Sequence, residues 1–123
     1  MSISDINPKN YYGFALDKDL EDDPRQEKWQ KQRLERGFDD SELWSLDSTI
    51  IKFIFPRLKA FYECEKNLWK NHELSESKKE YFSDLEKIIE VFEKYDAPLY
   101  GKEEKKFIKT MHLFAKHFVT LWT

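Results

Sequence analysis

The sequence predicts an all-α protein, and three observations carry that prediction. Only three Gly and four Pro are spread through 123 residues, too few for the tight reversals of a many-stranded sheet. Apolar residues recur at helical spacing through three long stretches. Most of the predicted helices open on a polar capping residue. The expected architecture is a compact helical bundle of three to four helices, with a long Pro-kinked central helix and an extended N-terminal arm. Residues 1–23 form the arm and 24–123 a single helical domain, a size that supports one core.

The arm is polar apart from Tyr11, Tyr12, Phe14 and Leu16, a cluster expected to dock on the body or on a neighbour. Asn7-Pro8 marks a turn, and Asp17 to Asp23 is an acidic run. Asp23-Pro24 then opens a short polar helix, with Asp as N-cap and Pro at the first helical position. Gly37 terminates it. Trp29 and Leu34 leave this helix little to bury.

Asp39 and Glu42 have capping-box spacing and open a turn through Trp44. Asp47 caps again, so the main helix is expected from Ser48 to about Leu68. Pro56 lies inside it and removes a backbone donor, which predicts a kink. Ser77 and Glu80 repeat the box spacing before a third helix running to about Tyr95. Asp96-Ala97-Pro98 ends that helix, and the last is expected from about Lys102 to Leu121.

At about 100° per residue, the third helix aligns Tyr81, Leu85, Ile88, Phe92 and Tyr95, widened by Phe82 and Ile89. The last aligns Phe107, Met111, Phe114, Phe118 and Leu121, widened by Ile108, Ala115, Val119 and Trp122. The main helix is apolar over roughly 200° on the same construction, through Ile50, Ile51, Phe53, Ile54, Phe55, Leu58, Phe61 and Tyr62. Its polar strip is Lys52, Lys59, Glu63 and Lys66. Such a helix either sits centrally or gives its surplus face to another subunit.

Arg57 falls by angle among Ile50, Ile54 and Phe61. A guanidinium there is costly unless paired. Two readings follow. The structural one is a salt bridge to a carboxylate such as Asp47 or Asp40, or a side chain reaching water at the kink. The functional one is an anion supplied as a ligand phosphate or a partner carboxylate.

No catalytic residue, cofactor or metal site is predicted. His112 and His117 are five apart and project about 140° from one another, and no Glu-x-x-His pair or Cys pair exists. The lone Cys64, at the edge of the main apolar arc, reads as a structural thiol, and one cysteine suits a reducing, cytoplasmic location. No apolar run approaches membrane-spanning length. With 21 basic and 24 acidic side chains the net charge is −3, which argues against duplex DNA as a partner.

The stretch Gly37-Phe38-Asp39-Asp40 followed by Trp44-Ser45-Leu46-Asp47-Ser48-Thr49-Ile50-Ile51-Lys52-Phe53-Ile54-Phe55-Pro56-Arg57-Leu58-Lys59-Ala60-Phe61 resembles a widespread group of small bacteriophage proteins of unassigned activity. Their pattern is close to G-F-x-D…W-x-L-D-x-T-I-x-x-F-I-x-P-R-L-K-x-F. Leu85 to Glu93 and Leu113 to Phe118 with Leu121-Trp122 are similar to their later helices. The resemblance spans residues 37–123 and implies a phage context, with weight on Trp44, Asp47, Pro56, Arg57 and Lys59. Asp47 and Pro56 are expected to be structural.

The expected function is binding without catalysis. A small nucleotide immune signal, sequestered in the host cytoplasm, would need aromatic faces and cations, types present in Trp44, Lys52, Arg57, Lys59 and Trp122. A homo-oligomer would help to close such a pocket. The alternatives are a module that blocks a host defence protein directly and an accessory of phage nucleic-acid metabolism or assembly.

Overall fold

The computed structural model describes residues 23–122. The predicted arm, with its Tyr11, Tyr12, Phe14 and Leu16 cluster, lies outside them. Among the described residues there are four α-helices, one short 3-10 turn and no strand: α1 (Gln26–Arg36), the 3-10 turn (Asp40–Leu43), α2 (Leu46–Trp69), α3 (Glu76–Glu93) and α4 (Gly101–Phe118). The all-α prediction holds. None of these helices is long and apolar enough to cross a membrane. The chain divides after Phe53 into two units, with α2 contributing to both.

The first unit is organised by local polar chemistry. α1 starts at Gln26 with Arg25 in the N-cap position and no side-chain cap, so the expected Asp23 cap with Pro24 as the first helical residue does not form. Asp23 instead closes the turn before the helix, its Oδ1 accepting from the Arg25 N–H at 2.8 Å and its main-chain oxygen from the Gln26 N–H at 3.0 Å. The Arg25 side chain adds two further bonds, holding the Asp23 carboxyl down at about 2. At the other end Gly37 takes φ 86° and returns its N–H to the Arg33 carbonyl at 2.9 Å. An L side chain there costs about 1–2 kcal/mol, so Gly37→Ala is expected to destabilise by that amount in chemical denaturation.

The Asp39–Glu42 capping box forms in both directions. The Glu42 carboxylate accepts from the Asp39 N–H at 2.7 Å, and Asp39 Oδ1 accepts from the Ser41 N–H at 2.8 Å. Burial pushes the Glu42 carboxyl up despite that bond. Arg33 and Asp39 form an ion pair with both side chains 0% exposed. Thr49 then ties the start of α2 to the turn, its hydroxyl donating to the Glu42 carbonyl at 2.8 Å. Trp29 is buried, so α1 packs in earnest, contrary to the sequence expectation. A polar helix can seat one large ring and one paired guanidinium.

In the second unit, α3 supplies the core. Phe82, Leu85, Ile88 and Phe92 are buried there, with Leu58 from α2. Phe92 meets Phe107 and Phe114 of α4 at centroid distances of 6.1 and 5.6 Å. Tyr62 stands edge-on to Phe82 at 6.0 Å and donates to Glu86. Burial and that carboxylate push its phenol up to about 12.

Several boundaries and faces differ from expectation. Ser75 rather than Ser77 caps α3, accepting from the Lys78 N–H at 3.2 Å, because its extended backbone (ψ 162°) is the one the capping geometry requires. α2 begins at Leu46, so Asp47 lies in its first turn, where a carboxylate still suits the helix N-terminus. α2 continues through Pro56. Arg57 is exposed, as are Leu46, Ile50 and Phe53 on the same side of α2, while Ile54 and Phe61 beside it are half-buried. Cys64 is exposed as well. α2 instead buries the line Ile51, Leu58 and Glu65.

Candidate functional site

On α4 Thr110 and His117 are buried, with Phe107, Leu113 and Phe114 half-buried beside them and Leu121 half-buried just past the helix end. This inward face carries a histidine that the sequence reading weighed only as a metal ligand. His117 Nε2 lies 2.7 Å from Asp84 Oδ2 of α3, and both side chains are nearly buried. The carboxylate orients the imidazole, and the ring satisfies a carboxylate that burial would otherwise penalise. Tyr81 stands edge-on to the same ring at 5.3 Å. The Thr120 hydroxyl donates to the His117 carbonyl at 2.7 Å, closing the last turn.

Two depressions meet at this pair. One, of about 360 Å³, is lined by Glu65, Ser75, Ser77, Lys78, Tyr81, His117, Thr120 and Trp122. Lys78 Nζ lies over the rings of Trp69 and Tyr81 at 4.6 and 4.9 Å and 3.9 Å from the buried Glu65 carboxylate. The cation is therefore held by both a charge and ring faces. Burial pushes the Tyr81 phenol up, with Thr120 opposing and Glu65 adding to the shift.

The other depression, of about 490 Å³, is lined by Asp84, Lys87, Lys106, Lys109, Thr110, His112, Leu113 and Lys116. Lys116 is spoken for: its Nζ lies 3.6 Å from Glu80 and 3.9 Å from Asp84. Among the described residues, no carboxylate lies within ion-pair distance of Lys87, Lys106 or Lys109. Three unneutralised lysines and a histidine thus share one groove of a chain whose net charge is −3. Chemically this groove suits an anion, and the neighbouring aromatic depression suits a planar ring.

No protein-family model, curated protein or solved structure matches this chain.

Of the residues singled out from sequence, Trp122 reaches a pocket, where it joins Lys78, Tyr81 and His117. Trp44 falls in the other unit. It is largely exposed and edge-on to Trp29 at 5.4 Å, with the Arg25 guanidinium 4.8 Å from its ring. Lys52, Arg57 and Lys59 are exposed positions on α2, as is Pro56. Among the described residues there is no group of three His, Cys, Asp or Glu side chains placed to hold a metal ion.

The sequence reading missed Lys87, Lys106, Lys109 and the Asp84–His117 pair. Lys109, His112 and Lys116 do carry a signal, a 3-4 spacing that places them on one helical face. Asp84 and His117 lie 33 residues apart, and no local pattern connects them.

Proposed function

We propose that this protein is a non-enzymatic binder of a small phosphate-bearing ligand of the nucleotide class, seated on the α3–α4 hairpin. The observation that carries the reading is the basic groove of Lys87, Lys106, Lys109 and His112 on an otherwise acidic chain. Phosphate is the anion whose charge and multiple acceptor oxygens best use several lysines at once. The base would stack in the adjoining depression against Tyr81 and Trp122, with Lys78 at its wall. Asp84 and His117 keep the two depressions in register by clamping α3 to α4. The resemblance to small phage proteins supports a biological setting for this chemistry, the sequestration of a nucleotide immune signal in an infected cell.

The test is calorimetric titration with ADP-ribose, cyclic dinucleotides and inorganic phosphate, paired with thermal unfolding. A ligand at about 100 times its Kd stabilises the fold by about 2.7 kcal/mol, a readily seen rise in Tm. The double variant Lys106→Glu/Lys109→Glu is expected to weaken binding by at least roughly tenfold, since exposed lysine–phosphate contacts are individually modest. Lys52→Glu, remote in sequence and outside the groove, should bind as the parent does. Absence of heat and of any Tm change with the whole panel would remove the proposal.

A further inference from the structure

The inward seam of α4 leaves a second line on the same helix uncovered. Ile108, Met111, Ala115 and Phe118 repeat at 3-4-3 spacing and are all exposed, and Val119 and Trp122 prolong the apolar surface past the helix end. Their exposures are 49% for Ile108, 36% for Met111, 62% for Phe118, 74% for Val119 and 77% for Trp122. With about 150–250 Å² for each aromatic side chain and less for Ile108, Met111 and Val119, that is roughly 500 Å² of apolar surface. It lies in the upper part of the range for the largest patch on a typical monomer, about 300–600 Å².

We infer that this line is the interface of a two-fold homodimer, with α4 packed antiparallel on α4 of a second copy. The area decides the occupant. A standard interface buries about 800 Å² per partner, and homodimer interfaces are about 65% apolar, so about 500 Å² of apolar surface is required. The line supplies that from one helix and its C-terminal turn.

The spacing decides the geometry. A 3-4 apolar repeat is the pattern of a helix–helix seam, and an isologous contact must be complementary to itself. With the two-fold axis beside Leu113, Ile108 opposes Phe118 of the second copy and Met111 opposes Ala115. Each large side chain on that central pair meets a small one, which lets the helices approach closely. The comparable exposed side of α2 is interrupted by Arg57, whereas the line from Ile108 to Phe118 carries no charge.

Trp122 also lines the aromatic depression beside Tyr81, so the inference is tested without ligand and on residues outside that depression. Sedimentation velocity across a wide concentration series is expected to show a reversible dimer. Phe118→Glu, whose fold is checked by circular dichroism, should raise the dimer Kd by at least roughly 30-fold, the effect of losing an aromatic anchor and placing a charge against apolar surface. Ile108→Glu should act in the same direction and serves if Phe118→Glu does not fold. The register is read by mixing Met111→Cys protein with Ala115→Cys protein, both in a Cys64→Ser background. A disulfide-linked heterodimer should form in excess of either homodimer. A chain that sediments as a monomer at every concentration overturns the proposal. So does a dimer that survives both glutamate substitutions, or one whose cross-links do not increase on mixing.

Discussion

Replacing Arg33 with Met is expected to lower the unfolding free energy by roughly 3–5 kcal/mol, the usual cost of leaving one member of a buried ion pair without the other. Arg33 and Asp39 are both fully buried and paired, so the Asp39 carboxylate would stay in a dry site without its guanidinium. Asp39 also accepts from the Ser41 N–H and so holds the 3-10 turn. The loss should therefore spread from the ion pair to the capping box and then to the Thr49 bond to the Glu42 carbonyl. The double variant Arg33→Met/Asp39→Asn removes both charges and keeps an oxygen for the cap. It is expected to recover most of the lost stability, because the penalty belongs to the unpaired charge. Urea denaturation of the two variants measures both effects. Equal destabilisation by the single and the double substitution would show that the pair's charge is not what matters.

Phe92→Ala should cost about 3–5 kcal/mol, the range for emptying a buried aromatic site. Phe92 is 2% exposed and touches two rings of α4, so its removal opens a cavity at the centre of the α3–α4 hairpin. Phe118→Ala, measured at a concentration where the chain is monomeric, should change stability by no more than about 0.5 kcal/mol. The sequence reading placed both residues on core-facing stripes. Thermal unfolding of the two variants therefore separates a residue that packs within the chain from one whose apolar surface is offered outward. Comparable losses at both positions would contradict the exposed placement of Phe118.

These two cases show where the legibility of the sequence ends. Local chemistry was readable in part: two short-range features were placed correctly, while the caps of α1, α2 and α3 fall elsewhere than expected. The Gly37 terminus and the reciprocal Asp39–Glu42 box each involve residues within four positions of one another, and both are present in the structure. The same holds for the core of α3, where Leu85, Ile88 and Phe92 were aligned by spacing and are buried. The basic groove was only half legible. Lys109, His112 and Lys116 share a face of α4 by spacing, but their meeting with Lys87 and Asp84 requires α3 alongside.

By itself, then, the sequence determined the helical class, the Gly37 terminus of α1 and the capping box of the 3-10 turn, because hydrogen bonding and backbone conformation act over a few residues. Only the tertiary structure decided which apolar face each helix buries. On α2 and α4 the apolar arcs are wider than one neighbour can cover, so periodicity permits more than one inward face. Packing selected Ile51–Leu58–Glu65 on α2 and Thr110–His117 on α4. The second choice follows from Asp84: a carboxylate at that buried position of α3 needs a polar partner opposite, and His117 is the residue that provides one at 2.7 Å.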